Sequence, residues 1–236
     1  MAKKKKKIQE ASGVIGDELS FAGKEAYNLL RTNLLFSVKR GNRNARVVGI
    51  TSSNHGEGKS LTALNLGYSL ASSKLKVLLI ECDMRLPSIG KKLGIQEEMG
   101  LSNILARMPV DDSVLHTDVL TQRLTVMLAG AIPPNPSELL GSQAMEATIE
   151  QMSKYYDFIL LDLPPVGAVP DALIASKLAD TMVVVVRQDL TTSADLLDTI
   201  RQLKYVDANI AGVVMNDAKK KHTSYRKYGY YYKKKK

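Results

Sequence analysis

Six short apolar runs punctuate the chain, at 47–51, 76–83, 124–128, 158–162, 181–186 and 210–215. They are apolar almost throughout rather than alternating, and valine dominates 181–186. Both features mark strands buried on two faces of a parallel sheet. Helical patterns fill the intervals. A helix is expected over 21–40, with Ser20 as its N-cap and Ala26, Leu29, Leu30, Leu34 and Phe36 as an apolar stripe. Others are expected at 60–70, in short pieces after 85–87 and at 100–105, from the proline-rich loop 133–138 to about 154, at 172–178 and at 193–205. Strand alternating with helix predicts one α/β domain over 20–217, a doubly wound, mostly parallel sheet with helices on both faces. In such sheets ligands gather at the carboxyl ends of the strands.

The first strand runs into Ser53-Asn54-His55-Gly56-Glu57-Gly58-Lys59-Ser60, and a helical run follows. This is a phosphate-binding loop, G-x-x-x-x-G-K-[ST], with serine in the first fixed position. Its backbone N–H groups and the start of the helix converge on phosphate oxygens. Gly56 and Gly58 let the backbone curl inward. Lys59 can reach the β- and γ-phosphates, and Ser60 can place its hydroxyl on Mg²⁺. Residues 54–61, Leu61 included, are therefore the candidate nucleotide cradle.

Acids end two other strands. Asp162 closes a run of four apolar residues and is a candidate to organise Mg²⁺ together with Ser60. Glu81 and Asp83 end the second strand two residues apart, which puts both on one side if the strand stays extended. They are candidates for a general base and, for Asp83, a magnesium ligand. Cys82 between them points the other way and suits a core position. Arg187 and Asn216 follow buried strands and are candidates, by position, to meet the nucleotide base.

Charge changes the picture at the two ends. The chain of 236 residues carries a net charge of +9, yet residues 8–217 hold 19 basic and 24 acidic residues, a net of −5. The excess sits in five lysines within 1–7 and nine Lys/Arg within 218–236, where no acid occurs. An acidic core argues against a folded nucleic-acid reader. Basic tails at 1–19 and 218–236 suit an anionic membrane surface or an acidic partner, or serve solubility alone. No apolar run reaches the roughly 20 residues of a membrane-spanning helix, and one cysteine suits a reducing compartment. The second tail also holds Tyr225, Tyr228, Tyr230, Tyr231 and Tyr232, half of the chain's ten tyrosines.

The phosphate loop, the acid-ended run 77–83 followed by Met84-Arg85-Leu86-Pro87, and Ile159-Leu160-Leu161-Asp162-Leu163-Pro164-Pro165 together resemble the bacterial tyrosine kinases. The similarity extends to Glu25–Leu34, to Asn135-Pro136-Ser137-Glu138-Leu139-Leu140 and to the tyrosine cluster. It is strongest to the stand-alone cytoplasmic kind that serves capsular and exopolysaccharide synthesis. The resemblance implies a phosphate-loop kinase that uses ATP and Mg²⁺, with catalytic roles for Lys59, Glu81, Asp83 and Asp162. It implies phosphorylation of the tail tyrosines and of other protein tyrosines, ring-like homo-oligomers, and a membrane-spanning activator that recruits the kinase to the inner face of the cell membrane.

Two departures stand out. Glu81 occupies a position where the family usually has aspartate. The oligomerisation pattern E-x-x-R-x-x-R is met by Glu25 and Arg31, but its middle arginine is Asn28. Glu25 and Arg31 lie about 240° apart around a helix, so they cannot pair with each other, and a neighbouring subunit is one place for them to look. The alternative reading is a MinD/ParA-like ATPase, a nucleotide-dependent dimerisation switch, although those carry a second lysine where Asn54 stands. A third is a regulator that binds ATP without transferring phosphate.

Overall fold

The computed structural model describes residues 14–38, 43–96 and 98–219. The tail tyrosines and most of both basic tails lie outside the described residues. Six strands form one parallel sheet: β1 (Arg46–Ser52), β2 (Val77–Glu81), β3 (Leu124–Met127), β4 (Phe158–Asp162), β5 (Thr181–Arg187) and β6 (Ile210–Asn216). Their spatial order is β3-β2-β4-β1-β5-β6. All six predicted strands are present, within a residue or two of the expected limits.

Side-chain alternation along the strands builds two cores. Leu78, Ile80, Ile159, Leu161, Met182 and Val184 face one side. There they meet α4 (Leu101–Leu105), α5 (Pro136–Leu140), α6 (Gln143–Met152), α7 (Asp171–Ala175) and α8 (Ser193–Tyr205). Val48, Ile50, Val77, Leu79, Leu160 and Val183 face the other. They meet α1 (Phe21–Ser37), α2 (Lys59–Ser72) and α3 (Ile89–Leu93). Period-two alternation with apolar residues at both parities is why β1 to β5 read as continuous apolar runs. β6, expected to be buried on both faces, lies at the sheet edge and alternates half-buried with exposed positions, Val213 at 44% and Met215 at 59% exposure.

Three expectations change. The helix expected to run to 154 is two, because Gly141 breaks it and Ser142 caps α6 by accepting from the Met145 N–H at 3.3 Å. A Cβ at Gly141 would sit 3.1 Å from Ile174. The α1 stripe is also different: Leu30, Leu34, Leu35 and Val38 pack inward, while Ala26 is exposed and Leu29 and Phe36 are 53% and 86% exposed. The helix packs on α2 along a seam rotated from the expected one. Lastly, residues 14–19 lie against α2. The buried Asn65 amide accepts from the Gly16 N–H at 2.9 Å and donates to the Val14 carbonyl at 3.1 Å. Among the described residues no helix is long and apolar enough to cross a membrane.

Candidate active site

The phosphate loop joins β1 to α2 at the carboxyl edge of the sheet, with β4 and β5 on either side of β1. Gly56 and Gly58 hold φ of +80° and +91°, the left-handed region that disfavours a side chain. Ser53 has no such angle, which is why serine serves in the first position. Its hydroxyl accepts from Thr199 at 2.9 Å, and its carbonyl accepts from the Gly167 N–H at 3.1 Å. Asn54, His55 and Gly56 form an exposed crown, and Ser60 is buried in the first turn of α2. That turn leaves its N–H groups without helical acceptors, the usual donors to an anion.

Lys59 draws two strand-end acids together. Its ammonium lies 2.8 Å from Asp83 Oδ2 and 3.7 Å from Asp162 Oδ1, with Ser60 Oγ at 3.4 Å. Burial pulls the ammonium pKa down, but the charges of Asp162, Asp83 and Glu81 together with the hydrogen bond to Asp83 outweigh it, and the pKa rises. Asp162 is 0% exposed, and no hydrogen bond of ordinary geometry reaches its oxygens, although the neighbouring Ser60 hydroxyl favours its charged form. Burial pushes its carboxyl above the usual carboxylate range, opposed by the Lys59 charge. A fully buried carboxylate beside a lysine and a serine hydroxyl is an arrangement that would suit a bound cation. Mg²⁺ fits that need: Asp162 and Ser60, with Asp83 close by through Lys59, are hard oxygen donors. Among the described residues no group of three or more His, Cys, Asp or Glu could hold a metal.

Glu81 and Asp83 do not share a task. β2 ends at Glu81, and the chain turns at Asp83, where the Met84 N–H donates to the Cys82 carbonyl at 3.0 Å. Glu81 is 2% exposed, and three backbone N–H groups saturate it: Oε1 accepts from Ser88 at 2.5 Å and Ile89 at 2.6 Å, and Oε2 accepts from Ala129 at 3.2 Å. Burial raises its pKa, with those three bonds opposing. Its longer side chain staples the start of α3 and the exit of β3. Asp83 keeps an acidic oxygen at the site while Oδ1 accepts from the Leu86 N–H at 3.1 Å. Cys82 is fully buried, as expected, and burial drives its thiol pKa well up.

Arg187 and Asn216 reach the loop's backbone: Arg187 Nη1 donates to the Gly56 carbonyl at 3.2 Å, and Asn216 Nδ2 to the Glu57 carbonyl at 3.1 Å. Glu57 turns inward, 1% exposed, and accepts from the Asn54 N–H at 2.9 Å. Residues without an expected role also converge here. Arg85 grips the buried Asp171 through Nε at 2.9 Å and Nη2 at 3.2 Å, and Nη2 also donates to Ser137 Oγ at 3.0 Å. That clamp joins the turn after Asp83 to the Asn135–Leu140 stretch; the spacing of 86 residues between Arg85 and Asp171 hides it from sequence. Lys92 of α3 is half-buried, and burial lowers its pKa while the Asp162 charge opposes. Glu25 and Arg31 are not brought to this site. Arg31 Nη1 donates to the Ser69 carbonyl at 2.8 Å and hydroxyl at 3.1 Å, and Glu25 accepts from Asn28 at 3.1 Å. Both therefore find partners within their own chain, so the helix geometry alone does not require a neighbour.

Residues 45–211 match the family model described as an AAA domain. The chain is 34% identical over 207 residues to the tyrosine-protein kinase YwqD of Bacillus subtilis (strain 168), covering 88% of this chain and 85% of the relative. The tyrosine-protein kinase CpsD of Streptococcus pneumoniae serotype 4 is 34% identical over 206 residues, 87% of each chain. The chain belongs to the bacterial tyrosine kinases. Among solved structures, the chimerical protein CapA2B2 superposes on this kinase with a TM-score of 0.77 at 30% identity, covering 83% of this chain and 85% of that one. The MinD protein of Pyrococcus horikoshii with Mg-ADP, at 21% identity and a TM-score of 0.60, shares the fold alone.

Proposed function

We propose that this kinase transfers the γ-phosphoryl group of ATP to the tyrosines of its own C-terminal tail, Tyr225, Tyr228, Tyr230, Tyr231 and Tyr232, and to tyrosines of other proteins. The observation that carries the site assignment is the fully buried Asp162 beside Lys59 and Ser60 at the mouth of the phosphate loop. Lys59 holds the β/γ-phosphates in place of its present carboxylate partner. Asp83, relieved of the lysine, accepts the proton of the incoming tyrosine hydroxyl. A phenol of pKa about 10 is rarely ionised at neutral pH, so a nearby carboxylate assists it. The tyrosine oxygen bonds to phosphorus as the bond to ADP breaks. Ser60 and Asp162 would hold Mg²⁺, which would supply charge neutralisation on the phosphates. Glu81 positions this machinery and is not its base, because its oxygens are committed to backbone donors.

The basic tails and the family membership support recruitment to the inner face of the cell membrane by a membrane-spanning activator, assembly into homo-oligomers, and control of capsular or exopolysaccharide synthesis. Nothing in the acidic core suits nucleic acid. The test incubates wild type and Lys59→Met with ATP and Mg²⁺ and maps phosphotyrosine. Modification of the five tail tyrosines, lost in the variant, is expected. Full phosphorylation by Lys59→Met would overturn the site, free phosphate without phosphotyrosine would favour the switch ATPase, and neither product would favour the non-transferring regulator.

A further inference from the structure

We propose that Thr191 is a positioning residue for the phosphate loop, acting through Glu57; the inference rests on the nucleotide reading of that loop. Glu57 lies inside the loop, and its carboxylate is buried. A buried carboxylate must find donors, and this one finds two. The loop itself supplies the Asn54 N–H, on Oε2 at 2.9 Å. The other comes from outside the loop: the Thr191 hydroxyl donates to Oε1 at 2.5 Å. Thr191 is itself fixed, since its oxygen accepts from the Arg187 N–H at 2.8 Å. A relay therefore runs from the Arg187 backbone through Thr191 Oγ1 and the Glu57 carboxylate to the Asn54 backbone. It ties the turn between β5 and α8 to the crown of the loop, across 134 residues of sequence.

Two consequences follow for nucleotide binding. The Asn54 N–H is spent on Glu57, so that group is not a phosphate donor, and the cradle consists of the N–H groups nearer the start of α2. The crown is also braced before nucleotide arrives. Without the brace the loop must be ordered at the moment of binding, which weakens affinity without touching the transfer step. The Arg187 guanidinium and the Asn216 amide brace the carbonyls of Gly56 and Glu57, but Thr191 alone supplies a donor from outside the loop to the Glu57 carboxylate among the described residues.

The experiment compares wild type, Thr191→Val and Thr191→Ser as full chains. Hydrogen–deuterium exchange of residues 54–58 is followed without nucleotide. The Kd for Mg²⁺-ADP is then measured by calorimetry, and KM for ATP and kcat by phosphotyrosine formation. Thr191→Val is expected to speed exchange and to raise Kd and KM about ten-fold, as for partial loss of one hydrogen bond to a charged group, with kcat little changed. Thr191→Ser, which keeps the hydroxyl, is expected to behave as wild type. Unchanged exchange or Kd in Thr191→Val, a fall in kcat in place of a rise in KM, or equal impairment of the serine variant would each overturn the proposal. Should Thr191→Val fail to fold, Thr191→Ala, which removes the hydroxyl without adding a methyl in its place, must show the same KM-selective loss, and wild-type behaviour there would overturn it. A wild type that binds no nucleotide refutes the nucleotide reading, while the exchange measurement still judges the brace.

Discussion

Asn in place of Asp162 is expected to make the nucleotide-free kinase more stable and inactive. The carboxylate is fully buried and no hydrogen bond of ordinary geometry reaches it, so folding strips its water, and only the neighbouring Ser60 hydroxyl and the Lys59 charge compensate. A buried polar group left so costs about 1–3 kcal/mol, and more when charged. The Lys59 ammonium at 3.7 Å repays part of this, yet the raised pKa of Asp162 means that burial outweighs the attraction. Lys59 loses the attraction of the Asp162 charge in the variant but keeps its 2.8 Å bond to Asp83, so the ammonium retains a carboxylate partner. A gain of about 1–3 kcal/mol corresponds to a Tm rise of roughly 2–12 °C for a chain of this size. The pH dependence follows from the direction of the shift. Because the folded pKa lies above the unfolded value of 3.8, the native state holds the proton longer, and wild-type stability falls as pH rises through the window between the two. The advantage of Asp162→Asn should therefore be present at neutral pH and shrink toward pH 4. Thermal unfolding of both proteins by circular dichroism, at several pH values and without nucleotide, measures this. Mg²⁺-ADP should then stabilise wild type more than the variant. A variant that melts at or below the wild-type temperature at neutral pH would refute the view that Asp162 is held waiting for a ligand.

Glu81→Ala should destabilise the fold by about 2–4 kcal/mol, since three backbone donors lose their acceptor, and Glu81→Asp should recover little because its carboxylate stops one bond short of Ser88 and Ile89; denaturant unfolding reads both. Asp171→Ala should cost a similar amount by stranding one side of the Arg85 clamp, and kcat should fall while Kd for Mg²⁺-ADP holds, because the clamp fixes the turn after Asp83 and not the phosphate loop. Arg31→Ala should lower Tm by breaking its bonds to Ser69, whereas Glu25→Ala should not; sedimentation with nucleotide then shows whether either change alters the oligomer, and equal sedimentation of a Glu25→Ala/Arg31→Ala double variant would deny them an inter-subunit role.

The sheet, its parallel sense and the phosphate loop were legible in the sequence because they rest on local physics. Strands buried on both faces must be apolar at both parities, and a loop that wraps phosphate needs glycine where φ is positive and a helix directly after. Lys59, Ser60 and Asp162 were legible for the same reason: each is placed by the end of one strand or the start of one helix. Glu81 was not. Its pairing with Asp83 followed from strand geometry, but the strand stops at Glu81, and only the arrival of Ser88, Ile89 and Ala129 decides that its oxygens are occupied. The same holds for Thr191 on Glu57, Asp171 on Arg85 and Ser69 on Arg31, and for the outward turn of Leu29 and Phe36. Spacing along the chain carries no information about such contacts. A side chain's hydrogen-bond partner is set by which elements pack together, and that is settled only when the two cores close on the sheet.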